Sequence, residues 1–266
     1  MPQVTLNGIS HHYRLEGPEG APVLTLAHAQ GFTSQSWSAQ IDHFSDRYRV
    51  LVPDLRGHGQ TEMAGKSYRI EDLALDIVAF LDALEIEQTH YAGASLGGMA
   101  GFALALDHAE RLRSVSFVTT QGILPQASID GQHAATAVMR KDGAEARADA
   151  VLERYLRRGY QADQPNSYAE LRRQFTTNPV EGYAEAGDAI FAMDFDPRVG
   201  EIDLPTMVIA GSDDIATTPE RMTLYRDSIP GAKMEIIPNA GHMPYVEAAD
   251  AFNVVLAGFL DALPRN

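Results

Sequence analysis

Residues 89–106 read Thr89-His90-Tyr91-Ala92-Gly93-Ala94-Ser95-Leu96-Gly97-Gly98-Met99-Ala100-Gly101-Phe102-Ala103-Leu104-Ala105-Leu106. The first four residues are a short apolar run of the kind that forms a buried strand, and the residues after Ser95 form an apolar run of helix length. Between them a single serine is framed by Gly93 and Gly97, with Gly98 behind. Small residues are needed at such a point because a strand that turns at once into a helix brings its own backbone close to its neighbours. The same turn thrusts the serine hydroxyl out at the carboxyl edge of a sheet. A Gly-rich packing turn is the bland alternative, and the strand–turn–helix context argues against it.

Working outward, the chain alternates short apolar runs with helical patterns. Apolar runs at Val23–Ala27, Tyr48–Val52, Thr89–Ala92, Ser114–Thr119, Thr206–Ala210 and Met234–Ile237 predict buried parallel strands. Asn7-Gly8 between two alternating segments predicts an N-terminal hairpin. Residues 70–85 set Leu73, Ile77, Phe80, Leu81 and Leu84 on one helical stripe, and 96–106, 217–229 and 248–262 are further helices. The expected architecture is α/β: a mainly parallel twisted sheet with helices on both faces. One stretch breaks the alternation. From Gly122 to Gly200 the chain is helix-prone and lacks a strand pattern, and about 80 residues is too long for a loop. It predicts a small helical lid, residues 122–200, inserted in a core made of 1–121 and 201–266.

A serine needs a base, and the base an orienting acid. Among nine histidines His242 is the best base: it follows a glycine in the loop between the last strand and the last helix. The acid belongs after the preceding strand, where Gly211-Ser212-Asp213-Asp214 offers two aspartates. Serine, aspartate and histidine in that chain order, each on a loop after a different strand, match one triad order. An oxyanion needs two backbone N–H groups. Leu96, next to the serine, would supply one; the loop His28-Ala29-Gln30-Gly31-Phe32 would supply the other from Gln30. His28 and His58 are expected to fix their loops, and His11, His12, His43, His90, His108 and His133 have no partner pattern, so they are taken as surface or packing residues.

Composition narrows the partners. The 266 residues carry 21 Lys+Arg against 36 Asp+Glu, a net charge of −15, which disfavours nucleic acid. No apolar run approaches the length of a membrane span, and the N-terminus has no signal-peptide pattern, so a soluble, cytoplasmic protein is expected. There is no cysteine, hence no disulfide and no thiolate ligand or nucleophile. No cluster of His, Asp or Glu has metal-ligand spacing, and no cofactor is implied. The expected partner is a small-molecule substrate.

These residues resemble the α/β-hydrolase superfamily over essentially the whole chain. The matching marks are His28 with Gly31, Pro53-Asp54-Leu55-Arg56-Gly57-His58-Gly59, Gly93-Ala94-Ser95-Leu96-Gly97-Gly98, Gly211-Ser212-Asp213-Asp214 and Gly241-His242. Length, short lid and the segment Asp214-Ile215-Ala216-Thr217-Thr218-Pro219 are most similar to bacterial 3-oxoadipate enol-lactonases and the esterases beside them. The family places its acid three residues after the glycine that ends the strand, which selects Asp214. The resemblance thus implies Ser95 as nucleophile, His242 as base, Asp214 as orienter, and no cofactor. The chain departs from those lactonases at Ala27–Phe32 and in having its one tryptophan, Trp37, outside the lid, both on the substrate side. The activity implied is hydrolysis of a small ester or lactone through an acyl-enzyme. Alternatives on the same fold are a C–C bond hydrolase of aromatic degradation and a non-catalytic small-molecule receptor. Phe32, Leu96 and the lid are expected to share a compact substrate pocket. The lid's basic residues Arg140, Lys141, Arg147, Arg154, Arg157, Arg158, Arg172 and Arg173 read mainly as solvated helix faces, although one could pair with a substrate carboxylate.

Overall fold

Asn7 and Gly8 both take left-handed backbone conformations (φ 51° and 79°), the pair a two-residue hairpin of matching twist requires. They join β1 (Gln3–Leu6) to β2 (Ile9–Glu16) in antiparallel register, Leu6 opposite Ile9. A computed structural model describes residues 2–63, 65 and 67–264. The strands that follow are β3 (Val23–Ala27), β4 (Arg49–Pro53), β5 (Thr89–Ala94), β6 (Leu112–Val118), β7 (Thr206–Gly211) and β8 (Lys233–Ile237). They form one sheet in the order β1-β2-β4-β3-β5-β6-β7-β8. β2 joins β4 antiparallel, and every pairing from β4 to β8 is parallel.

The helices are α1 (Ser38–Phe44), α2 (Ile70–Ala83), α3 (Leu96–Asp107), α4 (Gln126–Asp142), α5 (Glu145–Tyr155), α6 (Tyr160–Asp163), α7 (Pro165–Thr177), α8 (Val180–Phe191), α9 (Pro219–Ser228), α10 (Pro244–Glu247) and α11 (Ala249–Asp261). Parallel neighbours need crossovers, and the crossovers cover both faces of the sheet. One apolar cluster joins Tyr91, Val115, Phe117 and Val208 of the strands to Leu73 and Ile77 of α2, Phe102 of α3 and Met222 of α9. The other joins Leu24, Val50, Ala92 and Ile209 to Trp37, Ile41 and Phe44 around α1 and to Phe252 and Leu256 of α11. Alternate residues of one strand thus serve opposite cores, which is why the central strands read as unbroken apolar runs.

Three expectations shift. β5 runs two residues further than the apolar run, so the strand ends directly against Ser95. α2 stops at Ala83, where Glu85 adopts φ 55° and the N–H groups of Glu85 and Ile86 return to the carbonyls of Asp82 and Leu81, closing the helix. β8 is not a buried strand: Lys233, Glu235 and Ile236 are exposed, because it is the sheet's outer edge, where charge blunts further pairing.

Between β6 and β7 the chain makes α4 to α8 and a 3-10 turn at Asp196–Glu201, with no strand among the described residues. This segment has only a small cluster of its own, in which Met139, Ala148 and Val151 meet Phe175 and Tyr183. Its other apolar residues join the two main cores: Ile190, Phe195 and Val199 on one side, Leu152, Leu156 and Leu171 on the other.

Candidate active site

Ser95 sits at φ 48° and ψ −111°, a region an L-residue other than glycine rarely occupies. The surroundings hold it there. Its N–H donates to the Val118 carbonyl (3.0 Å), and its own carbonyl accepts from the Met99 N–H and the Thr120 hydroxyl (2.8 Å each). A side chain on Gly93 would collide with the Gly97 carbonyl, and one on Gly97 with the carbonyl of Ala27. The glycines are required by close backbone approach, as the quoted stretch suggested.

His242 and Asp214 lie on the loops after β8 and β7, and their side chains meet: Nδ1 of His242 is 2.8 Å from Oδ2 of Asp214, both buried. The other oxygen of Asp214 accepts from the N–H groups of Ala216 (2.7 Å) and Thr217 (3.0 Å), so the carboxylate is held at both ends. Asp213 turns outward and accepts from the Ser212 hydroxyl. The backbone of His242 is pinned as well, its N–H to the Tyr155 carbonyl (2.6 Å) and its carbonyl by the Thr119 hydroxyl (2.8 Å). Thr119, itself at φ 42°, had no signal in the sequence.

The turns that carry Gln30 and Leu96 are tethered to each other, the Gly97 N–H donating to the carbonyl of His28 (3.1 Å). Among the described residues neither the Gln30 nor the Leu96 N–H has an acceptor. The Gln30 side chain reaches into the segment after β6, donating to the Tyr183 carbonyl and accepting from Gln132 (2.8 Å each). Ser95, His242 and Gln30 line one cavity of about 250 Å³, together with Met99, Gln132, Tyr155 and Tyr183. Phe32 does not line it: fully buried, it stands behind the wall with its ring 6.2 Å from that of Tyr155. Tyr155 took the position expected of Phe32 because α5 brings its ring 4.7 Å from the His242 imidazole, a tertiary contact without a local signature.

Comparison with known proteins agrees with the fold. The sequence profile of the alpha/beta hydrolase fold matches residues 22–249. The chain belongs to the α/β-hydrolase family. An enol-lactonase from Burkholderia xenovorans LB400 is similar in structure at 34% identity and a TM-score of 0.93, covering 98% of this chain and 100% of that one. A 3-oxoadipate enol-lactonase of Acinetobacter baylyi is 30% identical over 250 residues, 94% of this chain and 92% of its own. A putative carbamate hydrolase of Variovorax paradoxus is 29% identical, covering 94% of this chain and 95% of its own. These relatives are hydrolases, and this α/β-hydrolase is an enzyme of that class. Among the described residues no helix is long and apolar enough to cross a membrane.

Two further features of this α/β-hydrolase lay outside the sequence reading. Glu247 accepts from the N–H groups of Gly241 (2.9 Å), Met243 (3.2 Å) and Arg157 (2.6 Å), bracing the His242 loop against the end of α5. Burial pushes its carboxyl up to about 7 despite those three donors. His12 has a partner after all: its Nδ1 is 2.8 Å from Oδ2 of Asp54, and His11 and His90 are buried too. His28 fixes its loop, Nδ1 against the Ala29 carbonyl and Nε2 accepting from the Leu55 N–H (2.9 Å each). Burial lowers the His58 pKa to about 3, so this ring, whose Nδ1 faces the Arg56 carbonyl, is neutral.

Proposed function

We propose that this α/β-hydrolase is a serine hydrolase of a small carboxylic ester or lactone, acting through an acyl-enzyme. The observation that carries the reading is the buried His242–Asp214 contact of 2.8 Å beside a cavity that Ser95 and His242 line together. Ser95 attacks the substrate carbonyl while Nε2 of His242 takes its proton; Asp214 holds Nδ1–H and so fixes the tautomer and steadies the imidazolium. The N–H groups of Leu96 and Gln30 receive the oxyanion, each donor being worth about 3 kcal/mol of barrier. Proton return from His242 releases the alcohol, or opens the lactone ring with the alcohol still attached to the acyl chain. Water activated by the same imidazole then frees the acid and Ser95.

Residues 122–200 act in this reading as a lid on a core made of 1–121 and 201–266. Supporting it, α4, α5 and α8 supply Gln132, Tyr155 and Tyr183 to the cavity wall, and the Gln30 side chain bonds to two of these helices. A cavity of about 250 Å³ suits a compact substrate, and the likeness to enol-lactonases favours a lactone among compact substrates.

The test is Ser95→Ala, assayed on short-chain esters and small lactones. The triad acts as a unit, so turnover should fall on the order of a millionfold while the circular dichroism spectrum is unchanged. A variant that keeps more than a few per cent of the wild-type rate removes Ser95 from the reaction. Mass spectrometry of protein treated with an organophosphate should find the adduct on the peptide containing Ser95.

A further inference from the structure

The side-chain amide of Gln30 is held at both ends by the segment between β6 and β7. Its Nε2 donates to the Tyr183 carbonyl of α8, and its Oε1 accepts from Nε2 of Gln132 on α4, 2.8 Å each. The polarity of this chain is fixed from one end. A backbone carbonyl can only accept, so Gln30 must turn its amino group toward Tyr183. The oxygen that remains can only accept in turn, so Gln132 must offer its own amino group. Gly187, one turn beyond Tyr183 on α8, makes the room. A Cβ there would lie 3.1 Å from Nε2 of Gln132 and 3.5 Å from Nε2 of Gln30, the first of them closer than ordinary contact.

The two helices that hold this amide are seated unequally. α8 lies hard against the core: a side chain on Gly182 would collide with the Gly57 carbonyl. Just before that helix, Asn178 accepts from the Gly59 N–H (2.6 Å) and donates to the Gly31 carbonyl (2.7 Å). α4 is the opposite case. Of its 17 residues only Thr136 and Met139 are buried, its Arg140 pairs with Glu181 of α8, and Gly143 at φ 82° ends it. An element with so few buried contacts opens at little cost. Its face with Ser128, Gly131, Gln132 and Ala135 covers the cavity, and through Gln132 it touches the loop after β3.

That loop carries the Gln30 N–H, which the proposed mechanism aims at the oxyanion. The peptide bearing it is gripped on its carbonyl side, where the Ala29 oxygen accepts from the Phe32 N–H (3.2 Å) and meets Nδ1 of His28 (2.9 Å). On the other side of the peptide the Gln30 side chain, anchored to α8 and α4, fixes the Cα. An oxyanion donor contributes fully only when it is already aimed at the charge that develops.

We propose that Gln132 and Gly187 are positioning residues for the Gln30 N–H: the seating of α4 over the cavity passes through the amide chain Gln132–Gln30–Tyr183 and completes the oxyanion hole. The proposal rests on the reading of Ser95 as nucleophile and Gln30 as oxyanion donor. Neither positioning residue acts by touching the substrate, so the effect belongs to turnover and not to binding.

The experiment follows hydrolysis of p-nitrophenyl acetate and p-nitrophenyl butyrate. Gln132→Leu should lower kcat about 5- to 30-fold, a part of what a missing oxyanion donor costs, with KM within about twofold and the same factor on both esters. A loss carried by KM, or one that differs between acetate and butyrate, would make Gln132 a substrate contact and overturn the proposal. Gln30→Met should lose at least as much, and adding Gln132→Leu to it should cost nothing further, because the chain is already cut. Two losses that multiply would overturn the chain. Gly187→Ala should unfold no earlier than wild type, alanine being the better helix former, and yet lose about 2- to 5-fold in kcat. An unchanged kcat in that variant would likewise overturn it.

Inhibition by trifluoroacetone separates this failure from failure of the catalytic reading. The Ser95 oxygen bonds to the ketone carbon, its proton passes to His242, and the carbonyl oxygen becomes an oxyanion that occupies the hole without turnover. The inhibition constant should rise in Gln132→Leu by the factor that kcat/KM falls. A wild-type inhibition constant in Gln132→Leu, with turnover lost in Ser95→Ala, discards the amide chain and keeps the role of Ser95. A ketone that does not inhibit the wild type, with turnover retained in Ser95→Ala, discards the catalytic reading itself.

Discussion

Among the described residues, two buried histidine–aspartate pairs share an Nδ1–Oδ2 distance of 2.8 Å: His242 with Asp214 beyond β8 and β7, and His12 with Asp54 between β2 and the end of β4. The carboxylates are equipped alike. Asp214 also accepts from the N–H groups of Ala216 and Thr217, and Asp54 from those of Ser34 (2.7 Å) and Gln60 (3.1 Å). Burial pushes the Asp54 carboxyl up, but the His28 imidazole and the Ser34 and Gln60 donors together hold it below the ordinary carboxylate range. The imidazoles differ. His12 belongs to a strand paired on both sides, opposite Gln3 of β1 and next to the Tyr13–Pro53 pair with β4. His242 is on a loop and shares a cavity with a serine held in a strained turn. An imidazole–carboxylate pair is therefore as much a structural clamp as a catalytic device. What sets the proposed catalytic pair apart is a serine in a strained turn and an open volume beside it.

The sharpest way to break that comparison is to neutralise each carboxylate in turn. Asp214→Asn should lower kcat/KM of the folded protein by about 10⁴-fold, the cost of losing the histidine's tautomer, beyond any stability lost with a buried, multiply bonded carboxylate. Asp213→Asn, whose side chain faces outward, should stay near wild type; the reverse ranking in the same ester assay would hand the orienting role to Asp213. Asp54→Asn should act through stability instead. Replacing a buried, multiply bonded carboxylate by its amide should cost about 2–3 kcal/mol in urea unfolding, with the folded fraction close to wild-type activity. Loss of turnover without loss of stability at Asp54 would erase the distinction between the two pairs.

A histidine without a carboxylate sharpens the contrast at the small end. His58 is fully buried beside a backbone carbonyl, and its pKa falls to about 3, below the value of 6.5 it has when exposed. Between these two values the unfolded chain binds a proton that the folded protein refuses. This contribution to stability is complete above pH 6.5 and is lost as pH falls, by up to about 1.4 kcal/mol per pH unit. Unfolding free energies measured from pH 7 to 5 should decline accordingly, and His58→Gln should flatten the decline. An unaltered slope in the variant would assign the acid sensitivity to other groups, His28 among them, whose pKa burial also lowers.

Much of the site was legible because its signals are local. The turn at Ser95 needs glycine at two contacts only a few atoms away, so residues 93–97 carry the whole requirement. The parallel strands announce themselves as apolar runs because both of their faces are covered. The two aspartates after β7 could not be separated by their own chemistry, and only the family's spacing from Gly211 favoured Asp214. They differ in which one meets a histidine 28 positions further on, and that depends on the loop's path after Gly211. Phe32 and Tyr155 illustrate the same limit: an aromatic near the serine was expected, and the one facing the cavity comes from a helix inserted far along the chain.

By itself the sequence determined the alternation of strands and helices, the strained serine between Gly93 and Gly97, and the histidine and acid on later strand-end loops. Each follows from periodicity or from sterics within a few residues. Only the tertiary structure decided that β8 is an edge, that His12 clamps Asp54, and which arginines between β6 and β7 face the cavity. Arg147 and Arg154 differ from Arg140, Arg157 and Arg172 in nothing a local window can register; only Arg173 has its partner, Glu170, one turn away in its own helix. Most of those four meet carboxylates carried on other helices or loops, and which face of α5 turns inward is fixed by the packing of Ala148, Val151 and Leu152 against the rest of the molecule. Long-range packing chooses among residues that local chemistry leaves equivalent.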